Sequence, residues 1–206
     1  MSRRLNIHNR TYQTEAFAED DGRLRVVGRL TDLKPIGLGP EDGEPLVVHD
    51  MSLELLVEIP SFEIVDVSTE MHTIPYLACT AILSDYRALV GLSVARGFTH
   101  EVRRLFGGPQ GCSHLTALLQ AMAPVAVQAS WALITVDEPL AVLAAGPAAL
   151  DDAERERRVR MNTNTCHVWR EDGEHLQAVL RGDGDARPSW MRQRFEQLGF
   201  PAPPAS

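Results

Sequence analysis

The chain has 206 residues, of which 44% are hydrophobic and 23% charged, and its formal net charge is -8 at pH 7. This composition predicts a folded protein with a full apolar core. The acidic balance argues against a nucleic-acid-binding protein, because neutralising phosphates requires clustered Lys and Arg. No apolar run approaches the ~18 residues of a membrane span, and Met1 to His8 lacks the apolar centre of a secretory signal, so we expect a cytoplasmic protein without membrane segments.

The chain contains three cysteines, Cys79, Cys112 and Cys166. They are too few, and odd in number, for a framework of disulfide bonds. In a reducing compartment they are interpreted as buried structural thiols, metal ligands or nucleophiles.

The first predicted element is a β hairpin over Thr11 to Asp32 with its turn at Asp21-Gly22. In its second strand apolar and basic residues alternate, which predicts one buried and one solvated face: Leu24, Val26 and Leu30 against Arg23, Arg25 and Arg29. A loop rich in Pro, Gly and acidic residues follows, from Lys34 to Pro45.

A second hairpin shows the clearest alternation in the chain. One strand runs from Val47 to Ile59, Pro60-Ser61 forms the turn, and a returning strand runs from Phe62 to Met71. One face of the first strand is predicted to be buried: Val47, His49, Met51, Leu53, Leu55, Val57 and Ile59. Together the two hairpins predict an antiparallel sheet with one solvated face.

The next three segments have helical periodicity. We predict a helix over Leu77 to Leu89, a second that begins with Thr99 as its N-cap and ends at Gly107, and a third that begins at Cys112 or Ser113. Pro124 predicts a kink or break in the third helix. The fold class is therefore α+β, with a layer of helices packed on the sheet.

The chain becomes more polar after Gly146. This part is predicted to form a charged helix, a hairpin and a short helix, over Ala148 to Arg160, Thr165 to Leu180 around Asp172-Gly173, and Ser189 to Leu198. We predict a main domain over residues 1–146 and a C-terminal extension over residues 147–206 that packs on the same domain.

The strongest functional candidate is the glycine-rich turn from Gly107 to His114. Cys112 lies where this turn enters a helix, and free backbone N–H groups and the helix dipole favour a thiolate there. His114 follows two residues later. The segment is interpreted as a metal site or as the nucleophile and base of a thiol enzyme. In the alternative interpretation Cys112 is a small buried hydrophobe and Ser113 is the helix cap.

Four further residues are candidate metal ligands. His49 is the one strongly polar member of its apolar strand face, so its burial requires a hydrogen-bond partner or a metal. Asp50 faces the other side of a regular strand, and shares a site with His49 only if the strand begins at Met51. Cys79 opens the first predicted helix and Cys166 opens the C-terminal hairpin, and each is either a packed thiol or a ligand.

Three segments resemble a bacterial family known as a domain of unknown function. They are His49-Asp50-Met51, Met71 to Cys79, and Gly108 to Leu115. The resemblance covers most of Tyr12 to Cys166 and implies no established activity.

The order of the candidate ligands is similar to that in iron–sulfur cluster assembly scaffolds of the NifU N-terminal type. This resemblance implies a cluster or zinc site formed by His49 or Asp50, Cys79 and Cys112. The chain departs from the scaffolds in having His49 in place of the first cysteine and Thr80 in place of the usual glycine. These departures favour a fold relative with a fixed metal, or with none, over a carrier of a transient cluster.

We therefore predict a small metal-binding protein that uses zinc or iron, acting on a small organic substrate or as an accessory factor in a catabolic pathway. His49, Cys79 and Cys112 are the expected ligands, and Asp50, His114 or Cys166 completes the site. Two alternatives remain: a metal-free thiol enzyme with Cys112 as nucleophile and a histidine as base, and a non-enzymatic partner-binding or scaffold-like module. The sequence does not indicate the oligomeric state.

Overall fold

The computed structural model of the chain describes residues 4–183, 186 and 189–200. The chain divides into two compact units, Met1–Leu133 and Ile134–Ser206. The first is an α+β unit and confirms the predicted fold class. The predicted packing of the C-terminal extension on the main domain stays a prediction.

The first unit is built on a four-stranded antiparallel sheet. Its strands are β1 (Asn9–Ala18), β2 (Leu24–Lys34), β3 (Leu46–Glu58) and β4 (Glu63–Thr73), and they neighbour one another in chain order. Both predicted hairpins are therefore confirmed. The register shifts between Asp32 and Leu33 where β2 pairs with β3.

The faces of the sheet follow the alternation of the sequence. Arg25 and Arg29 form ion pairs with Glu54 and Asp50 on the solvated face. The other face is the core, and its buried residues are Leu24, Val26, Leu30, Met51, Leu53, Leu55, Val57, Ile64 and Val67. One face is buried because apolar side chains two residues apart along a strand project to the same side.

A long helix covers this apolar face. Helix α2 (Ser113–Thr135) carries large, fully buried apolar residues at helical spacing: Leu115, Leu118, Leu119 and Met122. It approaches the sheet closely at Gly28, where an added Cβ would lie 2.5 Å from the Met122 sulfur. Of the kink or break predicted at Pro124, the break is wrong, because the helix continues through Pro124 to Thr135, with Ala126 buried beyond it; the kink stays a prediction.

Two shorter segments connect the sheet to α2. A 3₁₀ helix, Leu77–Leu89, follows β4, and helix α1 spans Phe98–Phe106. The N-cap of α1 is Gly97 rather than the predicted Thr99, since the chain turns there through a left-handed conformation with φ of 66°. A short 3₁₀ turn, Gly108–Gln110, then leads to Cys112.

The second unit is helical in its described part. Helix α3 (Leu140–Ala145) is followed by α4 (Asp152–Asn162), α5 (Glu174–Leu180) and α6 (Ser189–Gln197). Asp151 caps α4 by accepting a hydrogen bond from the backbone N–H of Glu154.

The predicted C-terminal hairpin is wrong. Its first half contains a 3₁₀ turn, His167–Trp169, and its second half lies in α5. Leu176 and Val179, three residues apart, share one face of α5 and pack with Val159 in a small apolar cluster. That spacing suits a helix, since residues two apart would be needed to build one face of a strand.

None of the helices in the described part of the chain has the length and apolar character needed to cross a lipid bilayer.

Candidate metal centre

A carboxylate, Asp32, lies on the buried face of the sheet. It follows Leu30 on the inner face of β2 and is fully buried. A buried carboxylate requires partners, because its charge is otherwise costly to remove from water. The register supplies two of them, since Asp32 pairs with Arg10 on β1 and with His49 on β3. Directly opposed residues face the same side of a sheet, so these three side chains meet.

Arg10 holds both oxygens of Asp32. Its Nε donates to Oδ1 and its Nη2 donates to Oδ2, each at 2.6 Å. This bidentate pair holds the pKa of Asp32 well below its usual range; burial opposes the effect and the hydrogen bond with His49 adds to it. Asp32 is therefore ionised and acts only as an acceptor or ligand.

Three histidines surround the same carboxylate. His49 Nδ1 lies 2.8 Å from Oδ2, and His114 Nε2 lies 3.4 Å from that oxygen. His8, just before β1, places its Nε2 3.3 Å from Oδ1. The rings of His49 and His114 lie against each other with their centroids 3.9 Å apart. Asp32 is thus the centre of a cluster drawn from β1, β2, β3 and α2.

The electrostatics of the cluster favour a neutral His114. Burial lowers the pKa of its ring, and the neighbouring His49 and Arg10 lower it further, whereas Asp32 acts in the opposite direction. A neutral imidazole has a free lone pair and is the form that binds metal ions.

Asp32, His49 and His114 could hold one metal ion. Each offers a ligand atom, and these atoms all lie within 4.8 Å of one another. A tetrahedral zinc ion with bonds of about 2.0–2.1 Å holds its ligand atoms about 3.4 Å apart. The 3.4 Å from Asp32 Oδ2 to His114 Nε2 equals this spacing, whereas the 2.8 Å from the same oxygen to His49 Nδ1 is a hydrogen-bond distance and is shorter. The three side chains would therefore hold one small cation after the His49–Asp32 hydrogen bond and the Arg10–Asp32 pair are released.

Cys112 lies beside this group, at the N-cap position of α2. Its carbonyl accepts the first helical hydrogen bond from the N–H of Thr116. Its Sγ lies 3.7 Å from His114 Nδ1, on the side of the ring away from the nitrogen that faces Asp32. Cys112, His114 and Asp32 thus form a continuous series of thiol, imidazole and carboxylate.

The Tyr86 hydroxyl fixes the backbone of Cys112 through two hydrogen bonds. The Tyr86 hydroxyl accepts a hydrogen bond from the Cys112 N–H at 3.1 Å and donates one to the Cys112 carbonyl at 3.3 Å. The Tyr86 ring is fully buried and stacks on Phe106 with centroids 4.4 Å apart. Gly111 is needed here because a Cβ would lie 2.5 Å from the Phe106 Cβ. The glycine-rich turn therefore positions Cys112 and His114.

Asp50 lies on the opposite face from His49. It pairs with Arg29 through two hydrogen bonds of 2.7 and 2.5 Å on the solvated side of the sheet. Strand β3 begins at Leu46, so both residues lie within it and alternate in direction. The structure therefore does not bring Asp50 to the group that contains His49.

The remaining cysteines lie outside the group of Asp32, His49 and His114. Cys79 is half-buried in the 3₁₀ helix, and Cys166 is an exposed thiol of the second unit. Neither belongs to the group of potential ligands that the described residues form. The set expected from the scaffold resemblance, His49 or Asp50 with Cys79 and Cys112, is thus not the set that the structure brings together.

Asp32 is a candidate metal ligand that the sequence interpretation missed. The sequence contains an indication of this. Asp32 lies an even number of residues from Leu24, Val26 and Leu30, so it falls on the same face of β2, which is otherwise apolar. An acidic residue in such a position requires partners on the neighbouring strands. Arg10, placed just upstream of the predicted first strand, is one of them.

Comparison with known proteins identifies one family. The model of a family described as a protein of unknown function (DUF2889) matches residues 8–128, which is more than half of the chain. The match contains every residue of the cluster around Asp32, together with Cys112. No curated protein and no solved structure matches the chain.

Proposed function

We propose that this chain, which belongs to the DUF2889 family, binds one divalent metal ion, zinc or iron, on Asp32, His49 and His114. The convergence of their ligand atoms within 4.8 Å carries the proposal. The register of β2 and β3 supports it, because His49 and Asp32 are directly opposed in the sheet. The buried carboxylate and the neutral His114 provide the charge and the lone pair that a divalent cation requires.

The proposed centre is catalytic rather than structural. Structural zinc sites have four protein ligands, whereas catalytic sites have three and leave a position for water or substrate. Two histidines and one carboxylate suit catalytic zinc and also ferrous iron. The side chains of His49 and His114 are 15% and 19% exposed, which leaves an approach for a small molecule. Such an ion activates a bound water or polarises a carbonyl group of a small organic substrate.

Elemental analysis tests this proposal. The chain is purified without a metal-affinity tag, in buffers free of chelator, beside an Asp32→Asn variant. We expect one zinc or iron ion per wild-type chain and a several-fold lower content in the variant, because the amide lacks the charge of the carboxylate. A wild-type protein with far less than one ion per chain, and no uptake on adding zinc or ferrous iron, would contradict the proposal.

A metal-free thiol enzyme is the second candidate function. The 3.7 Å contact between Cys112 Sγ and His114 Nδ1 favours it, because His114 is held from its other side by Asp32. A nucleophile, a base and a third group that orients the base are the parts of such a site. In this function His114 takes the proton of Cys112, whereas in the metal centre its Nε2 binds the ion.

Alkylation separates the two candidates. Iodoacetamide labelling is followed at each cysteine by mass spectrometry, with and without a chelator. A thiol enzyme has a Cys112 that reacts much faster than the exposed Cys166, and its rate does not depend on the chelator. The metal centre predicts the opposite: Cys112 reacts more slowly than Cys166 in the loaded protein, and chelation changes only the rate at Cys112.

An iron–sulfur scaffold and a partner-binding module receive less support. Scaffolds hold clusters largely through cysteine thiolates. The group of potential ligands in the described part of the chain consists of two imidazoles and one carboxylate. A metal centre of this kind is compatible with an accessory role in a catabolic pathway. It is equally compatible with an enzyme that acts on a small organic substrate, and both remain part of the proposal.

A further inference from the structure

Arg10 is a positively charged side chain in direct contact with the proposed cation site, which is unusual. It occupies both oxygens of Asp32, the carboxylate that the metal ion of the proposed function would need. A guanidinium and a divalent cation repel each other at such short range. Metal binding and the Arg10–Asp32 pair are therefore in competition for one carboxylate.

The charges of the loaded site are unbalanced. The ion contributes two positive charges and Arg10 contributes one, while Asp32 contributes a single negative charge. His49 and His114 add none, because an imidazole binds a metal ion through the lone pair of its neutral form. Asp50, the acidic neighbour of His49 in sequence, is directed to the other face of the sheet and paired with Arg29. The loaded site therefore attracts an anion.

Arg10 is free enough to take part in holding that anion. The Arg10 side chain is 34% exposed, whereas that of Asp32 is 1% exposed. When the pair separates, the guanidinium can therefore move toward solvent, while the carboxylate stays buried. Arg10 comes from β1, a strand at the edge of the sheet with mostly exposed residues. Its planar fork already matches a carboxylate, since it holds one in two hydrogen bonds here.

We propose that Arg10 is the substrate anchor of the metal centre and that the substrate is a small organic carboxylate. Without the ion, Arg10 rests on Asp32. With the ion bound, Asp32 turns its oxygen to the metal, and Arg10 pairs with the carboxylate of a substrate that reaches the open position. This inference rests on the proposed function, and it assigns the substrate class of the same site.

The protein contains a matched control for Arg10. Arg29 holds Asp50 through the same bidentate arrangement, in the same sheet but on the solvated face. Arg10→Gln and Arg29→Gln therefore remove the same chemical group from the same kind of pair. Arg10→Lys keeps the charge and loses the two-pronged geometry, which gives a second variant whose fold is less disturbed.

Cobalt(II) titration and acetate titration test the inference. Cobalt binding is followed by its visible absorption, and acetate is then added to the loaded proteins, with acetamide as the neutral control. We expect Arg10→Gln to bind cobalt at least about 10-fold more tightly than wild type and to bind acetate at least about 10-fold more weakly. Arg29→Gln should match wild type in both titrations, Arg10→Lys should bind acetate with intermediate affinity, and acetamide should leave the spectra unchanged.

The outcomes separate this inference from the function on which it rests. If wild type and all variants bind cobalt alike and acetate alike, Arg10 has no part in the site, although the metal centre stands. Weaker cobalt binding by both Arg10→Gln and Arg10→Lys would likewise overturn the inference, since Arg10 would then support the ion instead of competing with it. If no protein binds cobalt, the metal centre and the anchor both fail.

Discussion

Replacing His49 and His114 together with alanine should abolish metal binding at concentrations that saturate the wild-type protein. The double variant removes two of the three proposed ligands and leaves Asp32 with Arg10 and His8. Loss of an outer-sphere partner typically weakens a metal site by 10–100-fold, so losing two direct ligands should weaken zinc binding by at least about 100-fold. Calorimetric titration of chelator-treated protein with zinc measures this effect.

Two other histidines provide the control. His72 and His100 lie in the same unit, their side chains are 42% and 81% exposed, and neither belongs to the group around Asp32. The double variant His72→Ala/His100→Ala loses the same number of imidazoles and should bind zinc like wild type. Equal loss of affinity in the two double variants would mean that zinc binds to surface histidines in general.

A substantial loss of stability is expected from substitution of Gly28. Substitution by alanine places a Cβ 2.5 Å from the Met122 sulfur, 2.8 Å from its Cγ and 3.1 Å from a Leu118 methyl group. Met122 and Leu118 are fully buried, so they have little room to move away. Overpacking of a filled core costs about 1–3 kcal/mol, and we expect Gly28→Ala to lower the free energy of unfolding by that amount. Urea unfolding followed by circular dichroism measures it.

A double-mutant cycle isolates the clash. Met122→Ala alone creates a cavity and should destabilise the protein by about 2–5 kcal/mol. In the Met122→Ala background, the new Cβ of Gly28→Ala enters the vacated space, so the further loss in free energy of unfolding should be near zero. The interaction energy between the two substitutions should therefore be at least about 1 kcal/mol. Costs that simply add would show that α2 does not lie on β2 as the structure places it.

The sheet was predictable because its signal is local. Alternation along β2 and β3 identifies the buried face, and Asp21-Gly22 identifies the first turn. The helical spacing of Leu115, Leu118 and Met122 similarly identifies α2. The predicted hairpin in the C-terminal part failed because its short apolar segments fit two periods equally well, and the packing of Leu176 and Val179 on Val159 decided in favour of a helix.

The site was only half predictable because it depends on register. His49 and His114 could be singled out, one as a polar residue on an apolar face and the other by its place after the glycine-rich turn. Their meeting at Asp32 depends on the pairing of β1, β2 and β3, including the irregularity after Asp32 in the β2–β3 pairing. Cys79 was predicted to be a metal ligand because it opens the first predicted helix. The order of elements along the chain does not determine how far apart their side chains lie in the fold.

The metal centre itself is tested most directly by anomalous diffraction from crystals of the loaded protein. Data collected on both sides of the zinc and iron absorption edges locate the ion and identify it. The proposed site predicts one anomalous peak about 2.0–2.2 Å from an oxygen of Asp32 and from a ring nitrogen each of His49 and His114. A peak bound by Cys79 or Cys166, or metal-saturated crystals in which Arg10 still holds both oxygens of Asp32 and no peak lies beside it, would contradict the account.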